Sequence, residues 1–403
     1  MNNLQAGTAQ VDITPPLEVG LLTSSVKGLY EPFQSVRLPL KARILVLKSG
    51  EDILALVSLD LLALNDTAVG GWHNFKKALS DIIPIEKIII TCTHTHNAPE
   101  SVALSDLYLD AAYRKWLSRI QDGIKNAILQ AAIATKPCSV AMASSKLEGY
   151  SMQRRIPTPE GIIMSDSIQP VAPALLNREP VDRRVRSVIF QDATGHVIAT
   201  LVHAICHPVH EMCMPHISAE FPGEMCLALE ANGENGMPIF LNGAAGDINP
   251  PTVSEGPAFA QRHGNALAEL VQEQGRLFVE SSGFRSVHEE IKMPVRNEVK
   301  LANDRDALAR LNVISIGPLA IVFIPGEPFV ETALAIEKES PFKHTIVAAY
   351  AENTIGYIPT LQASREGGYE AGPGKWSFLE KGTDALITKE ALRLLKELFN
   401  QER

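Results

Sequence analysis

The sequence predicts an α/β fold: a mixed, largely parallel sheet or set of sheets flanked by helices. Three observations lead there. Apolar, β-rich runs recur along the chain, helix-length amphipathic segments lie between several of them, and the runs are continuous where a half-exposed strand would alternate. Continuous apolar character implies burial on both faces, the habit of parallel and mixed sheets covered by helices.

The strand-like runs fall at 42–47, 53–59, 87–91, 185–190, 197–205, 238–241, 311–324 and 345–349. Helical periodicity marks 68–79, 110–132, 220–230, 258–274, 327–337 and 384–399. Two stretches break the pattern. Residues 149–184 are rich in proline, charge and turn residues, and 356–381 carry glycines at 367, 368, 372 and 374. Both are too long for simple connections and are expected to enclose substrate as insertions. There is no internal repeat and no low-complexity linker, so the expectation is a single catalytic unit over 1–403 with insertions near 149–184 and 356–381.

Composition narrows the class. With 45% hydrophobic and 21% charged residues the chain is an ordinary globular protein, and disorder, collagen and coiled coil drop out. The net charge of −9, with no Lys/Arg run able to track a phosphate backbone, argues against a nucleic-acid partner. The N-terminus lacks the basic and apolar regions of a signal peptide, and no apolar run reaches about 18 residues, so a cytoplasmic protein without stable membrane association is expected. Five cysteines without close-spaced pairs read as reduced core thiols.

In open α/β sheets, ligands collect beyond the carboxyl ends of the strands, where loops converge over a rigid base. Four apolar runs end in polar, catalytically capable residues. IIITCTHTHNAPE reaches His94 and His96, ATLVHAICHPVHE reaches His207 and His210, IFLNGAAGDINP reaches Asp247 and Asn249, and AIVFIPGE reaches Glu327. A fifth, TIVAAYAENTIGY, reaches Tyr357. Chance delivers one such ending; several carrying His, Asp and Glu point to an assembled site. Imidazoles with a carboxylate, and no cysteine spacing, suit zinc or a related divalent ion in an open catalytic geometry. Water activated there is the usual agent of amide or ester hydrolysis.

Each residue also has a plainer reading. His94 and His96 share a face if the strand continues, but in a turn they would merely bond backbone groups. His203, inside the strand pattern, reads as a satisfied interior residue, while His210 and His216 are spare-ligand candidates in a polar loop. Asp247 fits a tight turn with an Asx-type bond, Glu327 a helix start with Pro328 near the first position, and Tyr357 and Tyr369 half-buried aromatics.

Taken together and in order, these motifs resemble the neutral/alkaline (non-lysosomal) ceramidase family, specifically its catalytic N-terminal domain. The segments that carry the likeness are AGTAQVDITPP, VSLDLL, TCTHTHNAPE, CHPVH followed by ISAEFPG, NGAAGDINP, IPGEPF, and AENTIGYIPT followed by GGYEAG. They span nearly the whole chain. The resemblance implies a zinc-dependent amidase in which His94, His207, Glu327 and Tyr357 bind the metal and His96 lies beside the activated water or the substrate. It also implies that the catalytic arginine is Arg154, with Arg155 as the alternative, and that Tyr369 stabilises the carbonyl oxygen.

Two departures shape the expected function. Where the family carries a serine long discussed as catalytic, this chain has Asn249. Asparagine can donate to a carbonyl oxygen but cannot form an acyl intermediate, so direct attack by metal-activated water is the more coherent route. The family also continues into an immunoglobulin-like domain, whereas this chain stops after its last helix, which favours a small soluble substrate over a membrane sphingolipid. The expectation is therefore a zinc (or other divalent-metal) hydrolase of a C–N bond in a small molecule. His96, Arg154, Asp247, Asn249 and Tyr369 are its catalytic groups, and a homo-oligomer is possible. The alternatives are a ceramidase-type lipid amidase, a metal-dependent lyase or isomerase with His96 as base, and a non-catalytic metal-containing binding protein.

Overall fold

A computed structural model describes residues 4–22, 30–280 and 283–401, so the outermost residues of the expected 1–403 unit lie outside it. Three larger sheets organise the described residues. The first runs Ile88–Cys92, Asp52–Leu59, Lys41–Ser49, Leu4–Asp12, Lys136–Pro137 in spatial order. The second runs Met237–Asn242, Val197–Ala204, Arg184–Gln191, Ser139–Lys146, Leu277–Val279, and the third Arg285–Lys292, Leu308–Ile316, Leu319–Phe323, His344–Ala348.

The α/β and mixed character holds, but the sheets are mostly antiparallel, which corrects the expectation of a largely parallel arrangement. In each sheet the pairing is antiparallel except at one edge: Asp52–Leu59 with Ile88–Cys92, Val197–Ala204 with Met237–Asn242, and Leu319–Phe323 with His344–Ala348. The continuous apolar runs have a different cause. One face of each of these three sheets enters a shared core: Leu45, Leu56 and Ile89 of the first meet Val188, Leu201 and Leu241 of the second and Ile314, Ile321 and Ile346 of the third. The opposite faces are covered by helices. Trp116, Ile120 and Ile124 of helix Ala111–Ile133 pack on Ile44 and Val57, and Ile387, Leu394 and Leu398 of Thr383–Gln401 pack on Leu311 and Val322. Helices Glu220–Ala231 and Pro257–Glu273 press Phe221, Met225 and Leu267 onto Val202 and Phe240. Two-sided burial produces near-continuous hydrophobic strands whatever the strand direction.

Helix limits agree with the periodicity to within a few residues except at 68–79, which is two short helices, Asp66–Val69 and Trp72–Ala78, broken at Gly70 and Gly71, whose φ of 74 and 109 end the first. The segment 327–337 begins later, at Val330, because Glu327–Pro328 pairs as a short strand with Tyr357–Ile358. The run 311–324 is a hairpin, turned at Gly317, which sits at φ +52. Strand Arg285–Lys292 escapes the hydrophobic pattern because it is an edge strand alternating between exposed and half-exposed positions. None of the five cysteines is in a disulfide, and four of them are buried.

The parallel edges position the loops beyond them, because they are stitched together at their carboxyl ends. Cys92 N donates to Tyr350 O, Ala349 N to Asn242 O, and Gly243 N to Ala204 O. The Asn242 side chain donates to Thr93 O and Cys206 O, joining the first sheet to the second.

Candidate metal centre

All three parallel edges discharge their loops into one place. His94 follows Cys92, His207 follows Ala204, and Glu327 follows Phe323. His94, at φ 72, adopts a left-handed conformation rare for a residue with a Cβ, held by His94 N donating to Leu61 O. Glycine is required beside Glu327. A Cβ on Gly246 would lie 2.5 Å from the Glu327 carbonyl oxygen, so the Gly243–Asp247 turn can approach the Glu327 loop only without a side chain there.

Backbone carbonyls set the histidine tautomers. His94 Nδ1 lies 2.8 Å from Leu62 O and His207 Nδ1 3.2 Å from Ile248 O. A carbonyl only accepts, so each Nδ1 carries the proton and each Nε2 presents a lone pair to the site. The Glu327 carboxylate sits between them, with Oε2 3.3 Å from His94 Nε2 and 3.3 Å from His207 Nε2. His96 completes a group of three histidines whose ligand atoms lie within 4.8 Å of one another. His94 Nε2, His96 Nε2 and Glu327 Oε2 are buried without a hydrogen-bond partner. Buried polar atoms are almost always satisfied; a cation fits as the missing partner of His94 and Glu327, and a molecule bound beside it as that of His96.

The electrostatics agree. Burial, with Arg154 next in weight, pulls His207 down to about 4. Burial and the neighbouring His94 and His207 hold His96 well below its usual value. Burial pushes Glu327 up, but the imidazoles of His94 and His207 outweigh it and hold the carboxyl well below the usual range. Unprotonated His96 and His207 beside an ionised Glu327 carboxylate are protonation states a divalent cation requires.

Arg154 lies against this group. Its Nη2 donates to Tyr357 Oη at 3.0 Å, Nη1 to His207 Nε2 at 3.3 Å and to Asn249 Oδ1 at 3.4 Å, and Nε to Glu370 Oε1 at 2.7 Å. Burial alone would lower its pKa, but Tyr357 and Glu370 raise it well above the usual value, so the charge is permanent. Tyr357 is pushed well above its usual value, by burial first and despite Arg154, so its oxygen remains a phenol here. Arg155 turns away, its Nη1 donating to the other Glu370 oxygen at 2.6 Å and its Nη2 to Gly367 O at 2.8 Å. Of the two arginines, Arg154 is the one at the site.

Tyr369 stands beyond Tyr357, ring centroids 5.8 Å apart, and stacks on Trp376 at 5.4 Å. Asp247 lies beneath. Its Oδ1 accepts from Val330 N and its Oδ2 from Gln153 Nε2, so both oxygens brace the loops that carry Glu327 and Arg154. The spare candidates are occupied elsewhere: His210 bonds Thr252 and His263, His216 bonds Glu211, and His203 bonds Val347 O and Arg186.

Two residues at the site escape sequence reasoning. Glu370, fully buried, carries both arginines; the burial of Arg154 and Arg155, which demands a carboxylate partner, is visible only in the structure. Tyr350 stacks on His94, with centroids 4.0 Å apart, and nothing in composition marks it.

Comparison with solved structures bears on the whole architecture. A crystal structure of neutral ceramidase from Pseudomonas aeruginosa superposes with a TM-score of 0.76 at 15% identity, covering 100% of this chain and 75% of that one. The fold is that of neutral ceramidase. A ceramidase complexed with C2 matches equally, with a TM-score of 0.76 at 14% identity, covering 100% of this chain and 76% of its own. Neither a protein-family model nor a curated protein matches the sequence. Within this ceramidase-like fold no helix of the described residues is long and apolar enough to cross a membrane.

Proposed function

We propose that the chain is a metal-dependent amide hydrolase, with zinc as the leading metal, acting on a C–N bond of a small molecule. The observation that carries this is the convergence of unpartnered His94 Nε2, His96 Nε2 and Glu327 Oε2 beside His207. His94, His207, Glu327 and Tyr357 are the ligands in this reading. A divalent ion held there supplies Lewis acidity and lowers the pKa of water to about 7.

The chain's own groups do the rest. His96, whose Nε2 is the remaining unpartnered base, accepts a proton from the attacking water and returns it to the departing nitrogen. The C–N bond breaks, a C–O bond forms, and the products are a carboxylic acid and an amine. Arg154 presents a fixed positive charge where the carbonyl oxygen becomes an oxyanion. Asn249 assists: its Oδ1 accepts from Arg154, which leaves the amide N–H groups as donors toward that oxygen. Tyr369 orients the substrate at the edge of Tyr357. Asp247 serves by bracing the Glu327 and Arg154 loops. The whole chain acts as one catalytic unit, with 149–184 contributing Arg154 and 356–381 contributing Tyr357 and Tyr369.

A second reading, a lipid amide as substrate, is favoured by the two ceramidase structures that share the fold. One experiment addresses both. Purified protein is analysed for bound metal, then assayed for amine release from small amides and lactams and from long-chain N-acyl amines, before and after chelation. Roughly one divalent ion per chain and chelator-sensitive amine release are expected. A metal-free preparation that His94→Ala does not change, or turnover without amine release, would sink the proposal.

A further inference from the structure

Tyr350 combines features that the proposed chemistry leaves unused. It follows the strand His344–Ala348, and its backbone is clamped between two parts of the site, with Tyr350 N donating to Gly326 O and Cys92 N donating to Tyr350 O. Its φ of 53 is left-handed, like the 72 of His94, so the two residues that stack on each other are both held in a rare conformation. The rings lie 4.0 Å apart with planes inclined by 26°, and the same phenol ring meets His207 edge-on at 6.2 Å. Two candidate ligands therefore rest against one aromatic side chain that is 1% exposed.

The hydroxyl is the telling atom. It is buried and has no hydrogen-bond partner, as are His94 Nε2, His96 Nε2 and Glu327 Oε2. A buried phenol normally finds an acceptor. Glu327 Oε2 lies 3.3 Å from His94 Nε2 and 3.3 Å from His207 Nε2, the two imidazoles against which the Tyr350 ring rests. Both Asp247 oxygens already accept hydrogen bonds, whereas Glu327 Oε2 accepts none. Residues that orient metal ligands from behind set both ligand geometry and metal affinity.

We propose that Tyr350 is a positioning residue of the metal centre: its ring fixes the plane of His94, and its hydroxyl is the donor held in reserve for the Glu327 carboxylate. The inference rests on the metal-dependent reading of the site. It goes beyond that reading by assigning the second support of two ligands to a residue outside the ligand set.

The test uses the full-length chain stripped of metal and titrated with Zn2+ against a chromophoric chelator, alongside thermal unfolding of the metal-free form. Tyr350→Phe keeps the stack and removes only the hydroxyl. It should weaken Zn2+ binding about tenfold, while the metal-free protein unfolds at the same temperature or higher, because an unsatisfied buried group has gone. Tyr350→Leu, which also loses the stack, should weaken binding toward ~100-fold. Wild-type affinity in Tyr350→Phe would overturn the role of the hydroxyl. A parallel loss of metal-free stability would make the residue merely structural and overturn the proposal. Absence of Zn2+ uptake by the wild-type chain would sink both this inference and the metal-dependent reading, whereas normal uptake by wild type and both variants would sink this inference alone.

Discussion

Two buried polar clusters grow from the same loop, four residues apart, and they are built on opposite principles. Around Glu211 every group is paired. Arg37 Nε donates to Glu211 Oε2 at 2.6 Å and Arg37 Nη2 donates to the other oxygen, while His216 Nε2 and Ser218 Oγ lie at 2.6 and 3.0 Å, and Arg37 Nη1 reaches Glu224 at 2.6 Å. Around His207 the reverse holds, with orphaned atoms on His94, His96, Glu327 and Tyr350. Burial pushes Glu211 up, but His216 and Arg37 hold it below the usual carboxylate range. A saturated network has no valence left for a ligand and serves the scaffold. An unsaturated one costs stability until something binds, and that asymmetry is what separates a site from a brace.

The contrast breaks most visibly at the ligands. His94→Ala should lower amide hydrolysis by more than the ~100-fold that loss of an outer partner costs, and abolish stoichiometric metal, yet leave the metal-free protein as stable as before. A metal-free form markedly destabilised by this change would place His94 in the scaffold class. Arg154→Ala should lower kcat/KM by about 10²–10³ at unchanged metal content, as removal of an oxyanion donor does. Loss of metal in that variant would instead make Arg154 part of the ligand support.

On the saturated side, Glu211→Ala should cost about 3 kcal/mol of folding stability by leaving Arg37 and His216 facing no carboxylate. The figure is at the low end of the range because Arg37 keeps 23% of its side chain in solvent. Chemical denaturation checks it, and metal content per folded chain should not move. Next in size is a pH effect beside it. Glu220, fully buried and close to the Glu211 charge, is pushed up to about 8, by burial first. The native state therefore holds this proton more tightly than the unfolded chain, whose carboxyl has its ordinary value near 4.5. The stability it confers is full below about 4.5 and is lost as pH climbs through about 8. Glu220→Gln should flatten the unfolding profile across that window. The smallest change expected is Asn249→Ser, which should leave kcat within about tenfold and produce no burst of acyl-enzyme, since water and not the side chain attacks.

Much of this architecture is legible in the amino-acid sequence. Strands and helices surface because two-sided burial writes long apolar runs and one-sided burial writes helical stripes. His94, His207 and Glu327 surface because they stand immediately beyond such runs. Strand direction is not legible: Ile44 and Leu45 face different cores, and a run buried on both faces looks the same in parallel and antiparallel pairs. Glu370 is hidden because its partners are more than 200 residues away, at Arg154 and Arg155. Tyr350 is hidden because stacking leaves no spacing signal. Asp247 is visible as a polar strand end, but only its bonds to Val330 and Gln153 reveal that it braces loops.

The meeting of three parallel edges has a consequence for timing. A cluster whose members hang from three separate sheets cannot exist in any fragment that contains only one or two of them. It is complete only when all three sheets have docked, and so depends on contacts between distant stretches of chain. Whatever binds there recognises the finished molecule and stabilises that form alone, so occupancy doubles as a proof of assembly.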